Sequence, residues 1–188
     1  AAMIRSFRAW TVLALALVVA AGAIPLFAQA AKPAAAPAAA AAQTAAKAQA
    51  PVFLTSCGQS PGAVTVGVFL RRLQMDYDLK DTGTVKDLAA KPYKTIIIVT
   101  GSSLKGMGGA GVSIDDELSR AGALIAEAKK RGIMVIGAHV EGMERRAKNA
   151  APGDNSDEMS IDAVCPKSQL LIVRKDGDED GRFTTLGK

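Results

Sequence analysis

The stretch from Tyr93 to Ser113, YKTIIIVTGSSLKGMGGAGVS, constrains the fold more than any other part of the chain. Residues Thr95 to Val99 are apolar and mostly β-branched, which suits a strand buried on both faces. The run breaks at Thr100 into a segment with five glycines (Gly101, Gly106, Gly108, Gly109 and Gly111), and that segment leads into a helix with clear start signals. A buried strand that delivers a glycine-rich loop to a helix is the central unit of an α/β sheet. Ligands of such sheets bind at the loop.

The chain before Pro51 has a different character. Arg5 and Arg8 precede an apolar run from Trp10 to Ile24, Pro25 breaks it, and Ala28-Gln29-Ala30 places small residues where a signal peptidase cuts. Residues 1–30 are therefore expected to be a signal peptide and 31–50, almost wholly Ala, Pro, Gln, Thr and Lys, a solvated linker. The fold is expected in one α/β domain over 51–188. An export signal implies a periplasmic or extracellular location. The same apolar run left uncleaved would be a signal anchor, the one route by which this sequence meets a membrane.

The basic balance of the whole chain does not carry over to that domain. Four of the 23 Lys and Arg (Arg5, Arg8, Lys32 and Lys47) precede Pro51, and all 18 Asp and Glu follow it, so the domain has a net charge of +1. Its aromatic residues are only Phe53, Phe69, Tyr77, Tyr93 and Phe183. Without a basic face or aromatic stacking residues, nucleic acid is not an expected partner.

In chain order, Pro51–Ser56 reads as the first strand. Ser60-Pro61 reads as a helix start, with serine as N-cap and proline in the first turn, for a buried helix over AVTVGVFLRRLQM. Tyr77–Leu79 suits a short edge strand, and Thr84 with Asp87 three places on suits a capped short helix. The helix after Ser113 is capped with Asp116, steps through Ile114, Leu118, Ala121, Ile125 and Ala128, and runs from acidic to basic ends as the helix dipole favours. Ile133–Ala138, ending at His139, is a fourth strand. Ser156 caps a helix to Cys165, and Leu170–Val173 is a fifth strand. Alternating strands and helices predict a doubly wound, mostly parallel five-stranded sheet in the order 2-1-3-4-5, with helices on both faces. The residues after the fifth strand are too few for a full covering helix. That strand is therefore expected either to be covered by chain lying beyond this sequence or to meet a partner, a second copy or another protein.

At TSCGQSPG, GSSLKGMGGAG, His139 to Arg146 and DGRFT the chain resembles a family of exported bacterial α/β proteins of unassigned function. The resemblance spans Pro51 to Thr185 and implies the fold and export, not an activity. It also implies a continuation past DGRFT into a further helix and strand.

The order of strands places TSCGQSPG and GSSLKGMGGAG face to face at the carboxyl ends of strands one and three, with His139 on the next strand. Backbone amides of a glycine-rich loop and a helix dipole favour an anion there. The candidate ligand-binding residues are Cys57, Gly58, Gln59, Ser60, Gly101, Ser102, Ser103, Lys105, Gly106, Gly108, His139, Arg145 and Arg146, and the expected partner is a small polar or anionic ligand. Gly106, Gly108 and Gly111 match GxGxxG, but five residues intervene between Thr100 and the motif and the later acidic residue is missing, so it does not identify a dinucleotide or any other cofactor. Cys57 with His139 are the candidate catalytic pair of a thiol enzyme. A Cys57–Cys165 disulfide is not expected, because the two should lie at opposite ends of a parallel sheet. Asp176, Asp178 and Asp180 before Gly181 match the first half of a calcium loop, but the twelfth position is Gly187 instead of glutamate. Three functions follow: a binding module, a thiol-dependent enzyme, and a partner-docking domain.

Overall fold

A computed structural model describes residues 47–146 and 155–187. The expected signal segment and most of the expected linker lie outside the described residues. No described helix is long and apolar enough to cross a membrane.

Strand β1 is Val52–Cys57, β2 Tyr77–Leu79, β3 Thr95–Thr100, β4 Met134–His139 and β5 Leu170–Val173. They form one sheet in the order β2-β1-β3-β4-β5, and every neighbouring pair is parallel. Parallel neighbours need crossover segments, and the helices α1 (Gly62–Arg72), α2 (Val85–Ala89), α4 (Ile114–Lys130) and α5 (Ser156–Val164) supply them. Two short helices complete the domain, α3 (Leu104–Ala110) and α6 (Arg182–Leu186).

All six residues of both β1 and β3 are buried. Their side chains alternate between two cores, as the period of a strand requires. Val52, Leu54, Ile97 and Val99 pack with Ala63, Val66 and Leu70 of α1. Phe53, Cys57, Ile96 and Ile98 pack on the opposite face with Leu88 of α2 and with Ala121, Leu124 and Ile125 of α4. Each fully buried aliphatic side chain contributes roughly 1.5–3 kcal/mol relative to an exposed one, so these two strands hold the domain together.

Several local expectations need correction. The Ser60 side chain does not cap α1. Pro61 is in helical conformation at the N-cap position, and no side chain bonds to the first turn. Part of the glycine-rich loop is a helix, α3, because Ser103 accepts the Gly106 amide and starts a turn that ends at Gly111 in left-handed conformation. Asn155, not Ser156, caps α5. In α4 the buried stripe is Glu117, Ala121, Leu124, Ile125 and Ala128, so Ile114 and Leu118 sit at its margin. The segment after β5 forms a 3-10 turn at Lys175–Asp178 and then α6.

Candidate functional site

The β1 and β3 ends lie side by side, with Cys57 in register with Thr100. The loops beyond them are drawn together by an isolated antiparallel bridge between Gln59 and Ser102 and by the Ser103 amide, which donates to the Gly58 carbonyl at 2.7 Å. Glycine makes this approach sterically feasible. A Cβ on Gly58, whose φ is +105°, would stand 2.5 Å from the Gly101 carbonyl oxygen, and one on Gly106 would stand 2.3 Å from that of Gln59. These glycines bring two backbones into contact. They do not hold an open anion cradle.

The amides expected to receive an anion are in fact used within the domain. Gly58 donates to Glu117 Oε2 at 2.9 Å, Gly101 to Ser160 Oγ at 2.9 Å, Ser102 to Asp157 Oδ1 at 2.6 Å, and Gly106 to Ser103 Oγ at 3.0 Å. Two helices therefore set the loop positions. From α4, the fully buried Glu117 also accepts from Gln59 Nε2 at 2.9 Å and pairs with Arg120 at 2.7 Å. Arg120 in turn donates to the carbonyls of Ser56 and Gly83 and to Thr55 Oγ1. From the start of α5, Asp157 and Ser160 hold the β3 loop, and burial pushes the Asp157 carboxyl above its ordinary range.

What remains open between the loops is a hollow of about 430 Å³ lined by Gln59, Ser60, Asp81, Ser103, Lys105 and Gly106, with Pro61, Val64 and Gly109 completing its wall. Ser60 is 4% exposed, and its hydroxyl has no hydrogen-bond partner among the described residues. It stands at the start of α1, a helix with no acidic residue in its first turn. Lys105 is exposed at the rim. Burial holds the Asp81 carboxyl above its ordinary range, against the lowering effect of the nearby Arg120 charge.

Gln59, Ser60, Ser103, Lys105 and Gly106 of the expected residues thus share one hollow, and the others have different surroundings. Cys57 turns into the core beneath α4, with Sγ 3.9 Å from the Glu117 carbonyl oxygen. Burial, reinforced by the Glu117 charge, pushes its thiol up to about 12. The surroundings favour the thiol, so the expected thiolate at a helix start is corrected: the core encloses the sulfur. His139 is fully buried. Its Nε2 donates to the Gly142 carbonyl at 2.9 Å, its Nδ1 lies 3.2 Å from Thr100 Oγ1, and its ring stacks on Phe183 at 5.0 Å between centroids. Burial lowers its pKa. With both ring nitrogens engaged, His139 braces β4 against the segment after β5.

Arg145 closes the rim of the β3 loop, with Nη1 donating to the Ser102 carbonyl at 2.7 Å and Nε to Glu141 at 3.3 Å. Arg146 is buried and pairs with Glu158 and Asp180, so it serves the fold. Gly101 and Ser102 are buried, and Gly108 is exposed outside the hollow. The three aspartates of the calcium-like motif are also engaged. Asp176 pairs with Arg174, Asp180 with Arg146, and Asp178 accepts from the amides of Phe183 and Thr184 at the start of α6. No group of three potential metal ligands is found among the described residues. Both cysteines are free thiols.

The residues that sequence reasoning did not single out are Asp81, Glu117, Arg120, Asp157 and Ser160. Glu117 was findable: it lies four residues before Ala121 on the stripe that Leu124 and Ala128 continue, so a charge there must be buried and paired.

No curated protein and no solved structure matches this chain. A family model described as a domain of unknown function (DUF6305) matches residues 49–188, which are the sheet, its helices and the hollow. The chain belongs to the DUF6305 family.

Proposed function

We propose that this chain is an exported binding module that holds a small polar, anion-bearing ligand in the hollow between the β1 and β3 loops. The carrying observation is Ser60, which lines the hollow that has Lys105 at its rim and whose hydroxyl, buried in its wall, has no hydrogen-bond partner among the described residues. A buried hydroxyl without a hydrogen bond costs about 1–3 kcal/mol, which a ligand acceptor would recover. The uncapped start of α1 adds a positive dipole end on the same side. Asp81, with its raised pKa, supplies a carboxyl for a ligand hydroxyl or amine. Export rests on the basic residues, apolar run and Ala28-Gln29-Ala30 of the N-terminal stretch. Thiol chemistry at Cys57 and His139 has less support, since both are enclosed and neither faces the hollow.

The test is calorimetry and thermal shift on the full chain with inorganic phosphate, sulfate and small hydroxy-carboxylates. At least one should bind with an affinity that falls as salt rises. Lys105→Ala and Ser60→Ala should each weaken that binding about tenfold, the equivalent of ~1.4 kcal/mol. If no anion shifts the melting temperature, or both variants bind as the parent does, the proposal fails.

A further inference from the structure

The polar groups around the hollow divide into those the fold uses and those it leaves free. Arg120 has every N–H engaged, on both Glu117 carboxylate oxygens, the Ser56 and Gly83 carbonyls and Thr55 Oγ1. Gln59 donates through Nε2 to Glu117 Oε2 at 2.9 Å and to the Asp81 carbonyl at 3.0 Å. A carbonyl oxygen can only accept, so the carboxamide has one orientation, and both its protons are taken while Oε1 is its free end. Gln59 stands in left-handed backbone, φ +58°, which glycine would adopt without strain. What glutamine adds at this position is therefore the carboxamide.

The Asp81 carbonyl also accepts from Thr55 Oγ1 at 3.1 Å, which anchors Asp81 beside β1 at the wall of the hollow. Among the described residues its carboxyl makes no hydrogen bond and no ion pair, and neither does the Lys105 ammonium. Arg120, whose charge acts on Asp81, has no N–H left to pair with it. The hollow thus contains one free acid and one free base. Asp81 is rooted at the end of β2 and Lys105 follows β3, with the β1 loop between them in the strand order β2-β1-β3.

Resting on the reading of this hollow as an anion site, we propose that its ligand also carries an amine: a small zwitterion with its anionic group at Lys105 and Ser60 and its ammonium at Asp81 and Gln59 Oε1. An ammonium has only donors, and the two groups offered to it have only acceptors free. A bare anion meets the repulsion of Asp81, whereas a zwitterion matches both charges of the hollow. Burial opposes the charge on Asp81, and a cation beside it offsets that effect. A hydroxyl could donate to the same oxygens but brings no charge to Asp81. Pro61 and Val64 give the carbon skeleton an apolar wall.

Calorimetry on the full chain near neutral pH compares matched probes, 4-aminobutyrate with 4-hydroxybutyrate and phosphoethanolamine with ethyl phosphate. In at least one pair the amine-bearing member should bind about tenfold more tightly. Asp81→Asn keeps the backbone carbonyl that Thr55 and Gln59 use, and it should abolish that preference while the amine-free member binds at least as well as to the parent. Lys105→Ala should weaken both members. No advantage for the amine in either pair, or a preference that survives Asp81→Asn, overturns the zwitterion while any binding of inorganic phosphate or sulfate leaves the anion reading standing. If these two anions also fail to bind, both readings fall.

Discussion

The Glu117 carboxylate, fully buried in α4, accepts the Gly58 amide at 2.9 Å across 59 residues of sequence, and so fixes the loop that walls the hollow. Its charge is matched by Arg120, which is itself anchored on the Ser56 and Gly83 carbonyls. Truncating Glu117 to alanine leaves a guanidinium that is largely out of water without its partner. The expected loss in chemical denaturation is about 3–5 kcal/mol. Glu117→Gln retains the acceptor for Gly58 and should lose less.

The glycines of α3 separate by what surrounds them. A methyl at Gly106 would press on the Gln59 carbonyl oxygen at 2.3 Å, whereas one at Gly108 meets nothing within 4 Å. Gly106→Ala should therefore destabilise by about 1–3 kcal/mol and disturb ligand binding. Gly108→Ala should stabilise by about 0.4–1 kcal/mol and leave binding unchanged. Thermal unfolding and calorimetry of the two variants check the pair.

His139 makes stability depend on pH in a definite direction. Its folded pKa is lowered, chiefly by burial, below the 6.5 of an unfolded histidine. As pH falls below 6.5 the unfolded chain takes up the proton first, so acidification costs stability until the folded pKa is also passed. Asp157 acts with the opposite sign, because its raised pKa lets the folded state take up the proton before the unfolded chain does as pH falls toward 3.8. Unfolding free energies measured in steps from pH 7 downward should show the His139 slope in the parent and a flatter line in His139→Gln.

The aspartates after β5 close a helix start. Asp178 accepts the Phe183 amide at 2.7 Å and the Thr184 amide at 3.1 Å, so Asp178→Ala should lower stability by about 0.5–2 kcal/mol. Added calcium should not raise the melting temperature of the parent, because each of the three carboxylates is already held by an arginine or by backbone amides. A calcium-dependent rise would overturn this account of the motif.

Much of the fold was readable because its signals are local. The β-branched run of β3, the paired Ser113 and Asp116 of α4 and the paired Thr84 and Asp87 of α2 each determine their own element through nearest-neighbour chemistry, and both capping boxes are formed. Strand order followed from the alternation of elements. The failures were of two kinds. Ser60-Pro61 has the residue types of a cap, yet Ser60 Oγ does not reach the first turn, because its loop is drawn toward Gly101. The glycine-rich segment looked like a ligand cradle, since composition cannot tell a glycine that admits a ligand from one that admits another strand's carbonyl.

The chain by itself determined which segments become the five strands and the crossover helices, their parallel order and the edge of the sheet where two loops meet. These depend on period, propensity and capping between residues a few places apart. Only the tertiary structure decided which polar groups remain available at that edge. Glu117, Asp157 and Ser160 reach the loops from helices distant in sequence and occupy the amides, Cys57 and His139 are enclosed away from the hollow, and Ser60 and Lys105 are left lining it. A backbone amide has one proton to donate, and its acceptor is settled only when the whole chain has packed.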